Sequence, residues 1–132
     1  MTDLERRQAA LEKTIAKYRG RPLDYRSADC IRMVRFHLLQ MGHRPPPLPR
    51  YQSLIGARRA LAQAGGMIAI FDALLPRITP ASMLPGDIAV AAGDDAEAAV
   101  ISVGYKVMGW HQDSDVAVNM TVNASALTAW RA

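Results

Sequence analysis

The chain changes character near its middle. In the first half, apolar residues recur at helical spacing over residues 3–18 and 28–42, and shorter helical segments follow at 51–64 and 67–75. In the second half, short apolar runs alternate with small or polar residues and are bounded by glycine, proline and aspartate. The pattern therefore predicts a group of helices followed by a group of strands.

Signals for helix ends support the helical half. Gly20 and Gly42 follow the first two predicted helices, and glycine is the residue that most often stops a helix. Either Ser27 or Asp29 can cap the start of the second helix, because a short polar side chain accepts a hydrogen bond from the orphan amides there. Residues 43–49 hold four prolines and cannot be helical, so we interpret them as a rigid extended connection.

The second half predicts an antiparallel meander. Strands are expected at 86–91, 97–103, 105–110 and 115–122, with turn residues between them. Residues 124–131 are expected to form a closing helical turn. Helices followed by a meander define an α+β fold.

The length of 132 residues fits one domain that buries a real core. We therefore expect a single domain over 1–132. It divides into an N-terminal helix at 1–20, a helical half with Cys30 at 21–76, and a β half at 77–132.

Composition and charge narrow the classes of function. Half of the residues are hydrophobic, yet no apolar run approaches the roughly 20 residues that span a bilayer. The polar N-terminus argues against a secretion signal, so no membrane partner is expected. Residues 1–66 carry 13 lysines and arginines against 5 acidic residues, whereas residues 67–132 carry 3 against 7. We interpret the basic half as solvated helices, and the alternative is a nucleic-acid-binding module that uses Arg6, Arg7, Arg32, Arg35, Arg58 and Arg59.

Cys30 is the single cysteine, which excludes an internal disulfide and a multi-cysteine metal site. It opens a predicted helix, where the dipole favours the reactive thiolate. A negative charge at Asp29 opposes this effect. Two interpretations stay open: a nucleophile, or a small buried hydrophobe. Asp94, Asp95 and Glu97 lack the spacing of a calcium loop, so we expect neither a metal nor a cofactor.

Three sequence elements carry a resemblance. Asp29-Cys30 lies four residues before Val34, Pro85-Gly86-Asp87 opens the first strand, and a later strand ends in Val103-Gly104. In this order they resemble the NlpC-like papain-fold superfamily, most of all its small members from phage and prophage tail modules. The resemblance covers about residues 20–131, and it implies a papain-like single domain of the α+β class.

The resemblance implies roles for individual residues. Cys30 matches the nucleophile, Asp87 belongs to a structural signature, and Tyr25 and Asp29 match residues that line the cleft. The position of the general base falls on Ala98 rather than on a histidine. His111 is the candidate for a displaced base or an orienting residue.

Two other histidines are expected to lie too far from the thiol. His37 follows Cys30 by seven residues on the same helix, which is about 10 Å along the axis. A general base must come within about 3 Å of its proton. His43 is further away still.

The resemblance also predicts the biology. We expect a structural or assembly component of a phage or prophage tail with a degenerate catalytic site. Other tail proteins would be its partners, and it would lie in the bacterial cytoplasm during assembly or in the virion tail. The first alternative is an active cysteine peptidase or amidase that cleaves peptidoglycan peptides through Cys30. The second is the basic nucleic-acid-binding module, which we do not favour because no recognition-helix arrangement is evident.

Overall fold

The computed structural model describes residues 1–92, 97–110 and 114–132. Within them, four α-helices occupy the first half of the chain and six strands the second. The helices are α1 (Asp3–Tyr18), α2 (Cys30–Gln40), α3 (Leu54–Gln63) and α4 (Met67–Leu74). The strands are β1 (Arg77–Ile78), β2 (Ile88–Ala91), β3 (Ala98–Ser102), β4 (Val107–Gly109), β5 (Val118–Met120) and β6 (Leu127–Trp130).

The caps explain where the helices begin. The side chain of Thr2 accepts a hydrogen bond from the amide of Glu5 and opens α1. Asp29, and not Ser27, caps α2, because its side chain accepts from the amide of Arg32. Ser53 caps α3 in the same way. The predicted helices therefore exist, and those that differ do so by one to three residues at their ends.

The sheet combines the predicted meander with a return. Strands β2 to β5 pair antiparallel with their neighbours in chain order. The strand β6 then comes back to the free side of β2, where Ile88 pairs with Trp130, and β1 pairs with the outer edge of β6. The strand order is β1-β6-β2-β3-β4-β5. The predicted α+β class is confirmed.

The C-terminal segment differs from the prediction. Residues Ala124–Ala126 form a single 3-10 turn, but Leu127–Trp130 are strand β6 and not part of a helix. The backbone of β2 would otherwise be unpaired along one side, and a buried backbone needs partners for its amides and carbonyls. That need arises only in the assembled sheet, so the local pattern did not reveal it. The sequence did not predict strand β1 either, because its pairing with β6 also exists only in the assembled sheet.

The two faces of the sheet bury different residues. The face toward the helices carries the main core, with Ile88, Ile101 and Trp130 completely buried against side chains such as Met33 and Leu38. A smaller cluster on the opposite face contains Ala89, Val100, Val107 and Ala129. Neighbouring residues of a strand point to opposite faces, so this division assigns each position of β3 to one side. Among the described residues, no helix combines the length and apolar character needed to cross a bilayer.

Candidate functional site

The candidate nucleophile opens the helix that packs on the sheet. Cys30 is the first residue of α2 and follows its cap, Asp29. The side chain is half-buried and packs against the main core. Asp29 accepts a hydrogen bond from the amide of Arg32 at 2.8 Å, which turns its carboxylate toward the first turn of the helix. The predicted position of Cys30 at a helix start is therefore present.

The electrostatics of the thiol oppose reactivity. Burial raises the pKa of Cys30 to about 11, and the charge of Asp29 adds to the increase. The backbone amides of Ala99, Cys30 and Ile31 lower the same pKa, but they do not compensate for the burial. The favourable effect of the helix start is thus smaller than the opposing effect of burial. At neutral pH the group is a thiol and not a thiolate.

The strand residue opposite the thiol is Ala99 rather than Ala98. Ala99 belongs to the core cluster against which Cys30 packs, and its backbone lies close enough to influence the thiol pKa. Val100 packs on the other face, and by alternation Ala98 lies on that face too. The expected base position is therefore displaced by one residue. By the same alternation Glu97 would lie on the face of Ala99, but it precedes β3 and is exposed.

Asp29 is committed to a buried network beside the thiol. Its carboxylate is 3% exposed and accepts a hydrogen bond of 2.7 Å from the hydroxyl of Tyr51. The guanidinium of Arg32 pairs with the same carboxylate and stacks over the Tyr51 ring at 4.4 Å from its centroid. Burial and the Asp29 hydrogen bond raise the pKa of Tyr51 well above its usual value. The network holds the start of α2 against the segment around Tyr51.

Sequence reasoning missed Tyr51. It lies 22 residues after Asp29, beyond the proline-rich connection, and no local pattern links the two. The signal available was a tyrosine two residues after the last of four prolines, at the point where the chain turns back to the helices. Only the packing of that connection brings its hydroxyl to the Asp29 carboxylate.

Tyr25 is a second tyrosine close to the thiol. Its side chain is half-buried, and its carbonyl accepts a hydrogen bond of 2.6 Å from Arg32. Burial raises the pKa of the Tyr25 hydroxyl, and negative charge on an ionised Cys30 and on Asp29 contributes in the same direction. These influences put the hydroxyl within electrostatic range of the thiol. Tyr25 and Asp29 therefore both border Cys30.

His37 has a structural position in the core. The ring is completely buried, with Nε2 2.8 Å from the carbonyl of Gly86 and Nδ1 2.8 Å from the hydroxyl of Thr14. A carbonyl only accepts, so Nε2 carries the hydrogen of the neutral ring and Nδ1 accepts from Thr14. Burial lowers the pKa of His37, which keeps the ring neutral. Both nitrogens are occupied away from Cys30, as the spacing on the helix predicted.

The other two histidines of the chain are His43 and His111. His43 follows α2, and it acts on the pKa of His37 and not on that of Cys30. His111 lies outside the described residues, and so do Asp94 and Asp95. The described parts of the chain contain no group of three histidine, cysteine or acidic side chains placed to hold a metal.

Asp87 joins three distant parts of the chain. Its carboxylate is completely buried and accepts hydrogen bonds from Arg7 at 2.8 Å, Arg131 at 2.9 Å and the amides of Leu84 and Ala132. Gly86 before it has a φ of +93°, and an added Cβ would lie 3.1 Å from Cγ of Arg7. Both carboxylate oxygens of Asp87 accept hydrogen bonds, and these bonds join α1, the start of β2 and the C-terminus. Its function in this structure is that of a connector.

A family model described as "Domain of unknown function (DUF6950)" matches residues 2–132. The chain belongs to the DUF6950 family. No curated protein matches the chain. Among solved structures, the chain resembles the crystal structure of the P60 domain from the M. avium paratuberculosis antigen MAP1272c. That match has a TM-score of 0.59 and 14% sequence identity, and it covers 98% of this chain and 97% of that one.

The structural match confirms the architecture predicted from the resemblance. This member of the DUF6950 family has a fold like that of the P60 domain, with helices before an antiparallel sheet, as expected for a papain-like α+β domain. At 14% identity, the likeness concerns the fold. Function therefore has to be argued from the site itself.

Proposed function

We propose that this chain is a papain-like domain with a degenerate catalytic site, and that it serves as a structural or assembly component of a phage or prophage tail. One observation carries the first part of the proposal. The half-buried thiol of Cys30, with its pKa raised to about 11, packs against the strand position of Ala99, which has no side chain able to move a proton.

Cysteine hydrolases need a thiolate and a base close to it. With a pKa of about 11, on the order of one thiol in 3,000 is ionised at pH 7.5. A base beside the sulfur would take its proton and later protonate the leaving amine. Ala99 cannot do either, and His37 is fully engaged with Gly86 and Thr14. These facts favour a thiol retained for packing.

The assembly role rests on the phage-associated resemblance and on surface properties. The basic residues concentrate before residue 67 and the acidic ones after it, which would orient the domain against charged neighbours. Leu4 and Ile55 expose 68% and 66% of their surface on α1 and α3. Exposed leucine and isoleucine side chains on helices are contacts that a neighbouring tail protein can cover.

The proposal is tested first on the thiol. Iodoacetamide is added to the folded protein between pH 6 and 10, and alkylation of Cys30 is followed by mass spectrometry in the native chain and in His111→Ala. We expect slow alkylation at neutral pH in both proteins, with a rate that rises steeply above pH 9. A fast reaction at pH 7 that slows in His111→Ala would overturn the degenerate site.

The assembly role requires its own test. A phage or prophage that carries this gene is made with Cys30→Ala and, separately, with the gene deleted. We expect normal tails with Cys30→Ala and defective tails with the deletion, seen by electron microscopy. Normal tails without the gene would refute the assembly role, whereas defective tails with a folded Cys30→Ala chain would mean that the thiol itself is required.

A second candidate function is supported by the placement of the thiol. Cys30 opens α2, and three backbone amides act to lower its pKa, in the direction that a reactive thiolate requires. An active peptidase or amidase would use His111 as its base and a peptidoglycan peptide as its substrate. It predicts hydrolysis of such a peptide by the native protein, and loss of that hydrolysis in both Cys30→Ala and a folded His111→Ala.

A further inference from the structure

An apolar cavity of about 280 Å³ lies beside the candidate site. Its walls come from α2, the proline-rich connection, α3 and α4, and they include Ile31, Leu38, Leu48, Leu61, Ile70 and Leu74. Cys30 is not among the lining residues. The volume is nearly twice that of an engineered 150 Å³ cavity that binds benzene, so it accommodates a short alkyl chain.

The sequence explains why the space stays open. The helix α3 and its C-cap contribute Ala57, Ala60 and Ala64, which recur at helical spacing where larger apolar residues would fill the gap. The opposite wall is Pro45–Pro49, whose fixed backbone cannot collapse onto the alanines. Nε of Arg35 donates a hydrogen bond of 3.1 Å to the carbonyl of Pro46 and holds this wall in place.

The charge around the cavity is mainly positive. Residues 31–74, which supply its whole wall, contain six arginines and one acidic residue, Asp72, which pairs with Arg77. Arg35 lines the cavity itself. The exposed arginines on the same segments are Arg44, Arg50, Arg58 and Arg59. An apolar pocket surrounded by cationic side chains attracts an apolar ligand that carries a negative charge.

We propose that this cavity binds a free single-chain amphiphile with an anionic head group, such as a medium-chain fatty acid. The alkyl chain occupies the space between the alanines of α3 and the prolines. The carboxylate lies at the rim, where the guanidinium of Arg35 and the exposed arginines neutralise it. The site is separate from Cys30 and does not depend on the proposed assembly role.

The direct test is calorimetric titration of the full chain with decanoate. We expect saturable binding at one site. Ala60→Leu fills the cavity and should weaken binding at least tenfold, while it raises the melting temperature of the free protein. Ala62→Leu, an exposed change on the same helix that does not face the cavity, is the matched control and should bind like the native chain. Ala57→Val provides a second filled variant in case Ala60→Leu does not fold.

The head group is tested separately with decanol, which has the same chain length without the charge. Decanoate should bind at least fivefold more tightly than decanol to the native protein, and Arg35→Gln should reduce this preference. Arg26→Gln, which changes an exposed arginine outside the cavity walls, should not.

Three results would overturn the proposal. The first is a lack of saturable decanoate binding, and the second is equal binding to Ala60→Leu and Ala62→Leu. The third is association with vesicles of phosphatidylglycerol without binding of free decanoate, which would mean a membrane-surface contact through the arginines instead. Equal affinities for decanoate and decanol would show that the anionic head group does not contribute to binding, which contradicts that part of the proposal.

Discussion

The carboxylate of Asp87 accepts a hydrogen bond of 2.8 Å from Arg7, 80 positions earlier in the chain. Arg7 is 7% exposed and Asp87 is completely buried, so the ion pair joins α1 to the start of β2 inside the protein. The other side of the carboxylate binds Arg131, near the C-terminus. Both ends of the chain are thereby attached to the start of β2.

Replacing Asp87 with asparagine should be strongly destabilising. The variant keeps the size of the side chain but leaves the buried guanidinium of Arg7 without its counter-charge, which typically costs about 3–5 kcal/mol. Urea denaturation followed by circular dichroism measures the loss. Asp3→Asn removes one partner of an ion pair that is 67% and 85% exposed, and it should change the free energy of unfolding by less than about 0.5 kcal/mol. Equal effects of the two changes would show that the Arg7–Asp87 pair is not what joins the helix to the sheet.

Stability should fall on mild acidification because of His37. Burial lowers the pKa of the folded histidine below its unfolded value of 6.5, so the unfolded chain binds more protons in this range. The neutral ring makes its full contribution to the stability of the fold above pH 6.5, and this contribution is lost as the pH falls toward the lower pKa of the folded state. Denaturation midpoints measured between pH 5 and 7.5 should therefore decline below about pH 6.5.

His37→Gln provides the control for this pH dependence. Glutamine can donate to the Gly86 carbonyl and does not titrate, so the decline below pH 6.5 should flatten in this variant. A decline of unchanged slope in His37→Gln would assign the pH dependence to another group.

The Tyr51 hydroxyl should stabilise the start of α2. Tyr51→Phe leaves the ring in place but removes a buried hydrogen bond to the charged Asp29 carboxylate, a contact usually worth about 1.5–3 kcal/mol. The change in unfolding free energy is measured by denaturation. Tyr105→Phe removes a hydroxyl from a completely exposed tyrosine and should have no measurable effect. If Tyr51→Phe also leaves the free energy of unfolding unchanged, the Asp29 network does not hold the connection to α2.

Asp29→Asn should make Cys30 more reactive. Asparagine caps a helix as well as aspartate does, and the loss of the negative charge lowers the thiol pKa. Burial is the larger cause of the raised pKa and remains, so the thiol should still ionise less readily than an ordinary cysteine. Alkylation rates at pH 8 should rise severalfold, as measured by mass spectrometry.

Asp24→Asn is the matched control for the thiol. Asp24 lies in the same segment, and its exposed carboxylate does not act on the pKa of Cys30. The alkylation rate should therefore remain that of the native chain. An Asp29→Asn rate no higher than that of Asp24→Asn would contradict the electrostatic role of Asp29.

The sequence by itself determined the helices, the position of Cys30 at the start of α2 and the meander from β2 to β5. These features depend on contacts between residues close in the chain, which periodicity, capping side chains and turn residues report directly. It also excluded His37 as the base, because distance along one helix follows from the rise per residue.

The tertiary structure decided the features that depend on distant partners. The strand β6 replaces an expected helical turn because β2 needs a second neighbour. Ala99 rather than Ala98 faces the thiol because the pairing with β2 sets which residues of β3 face the helices. The pKa of Cys30 rises because the surrounding core removes water from the sulfur, a quantity that no local motif contains. Burial and strand register belong to the assembled chain, and they determine the chemistry of this site.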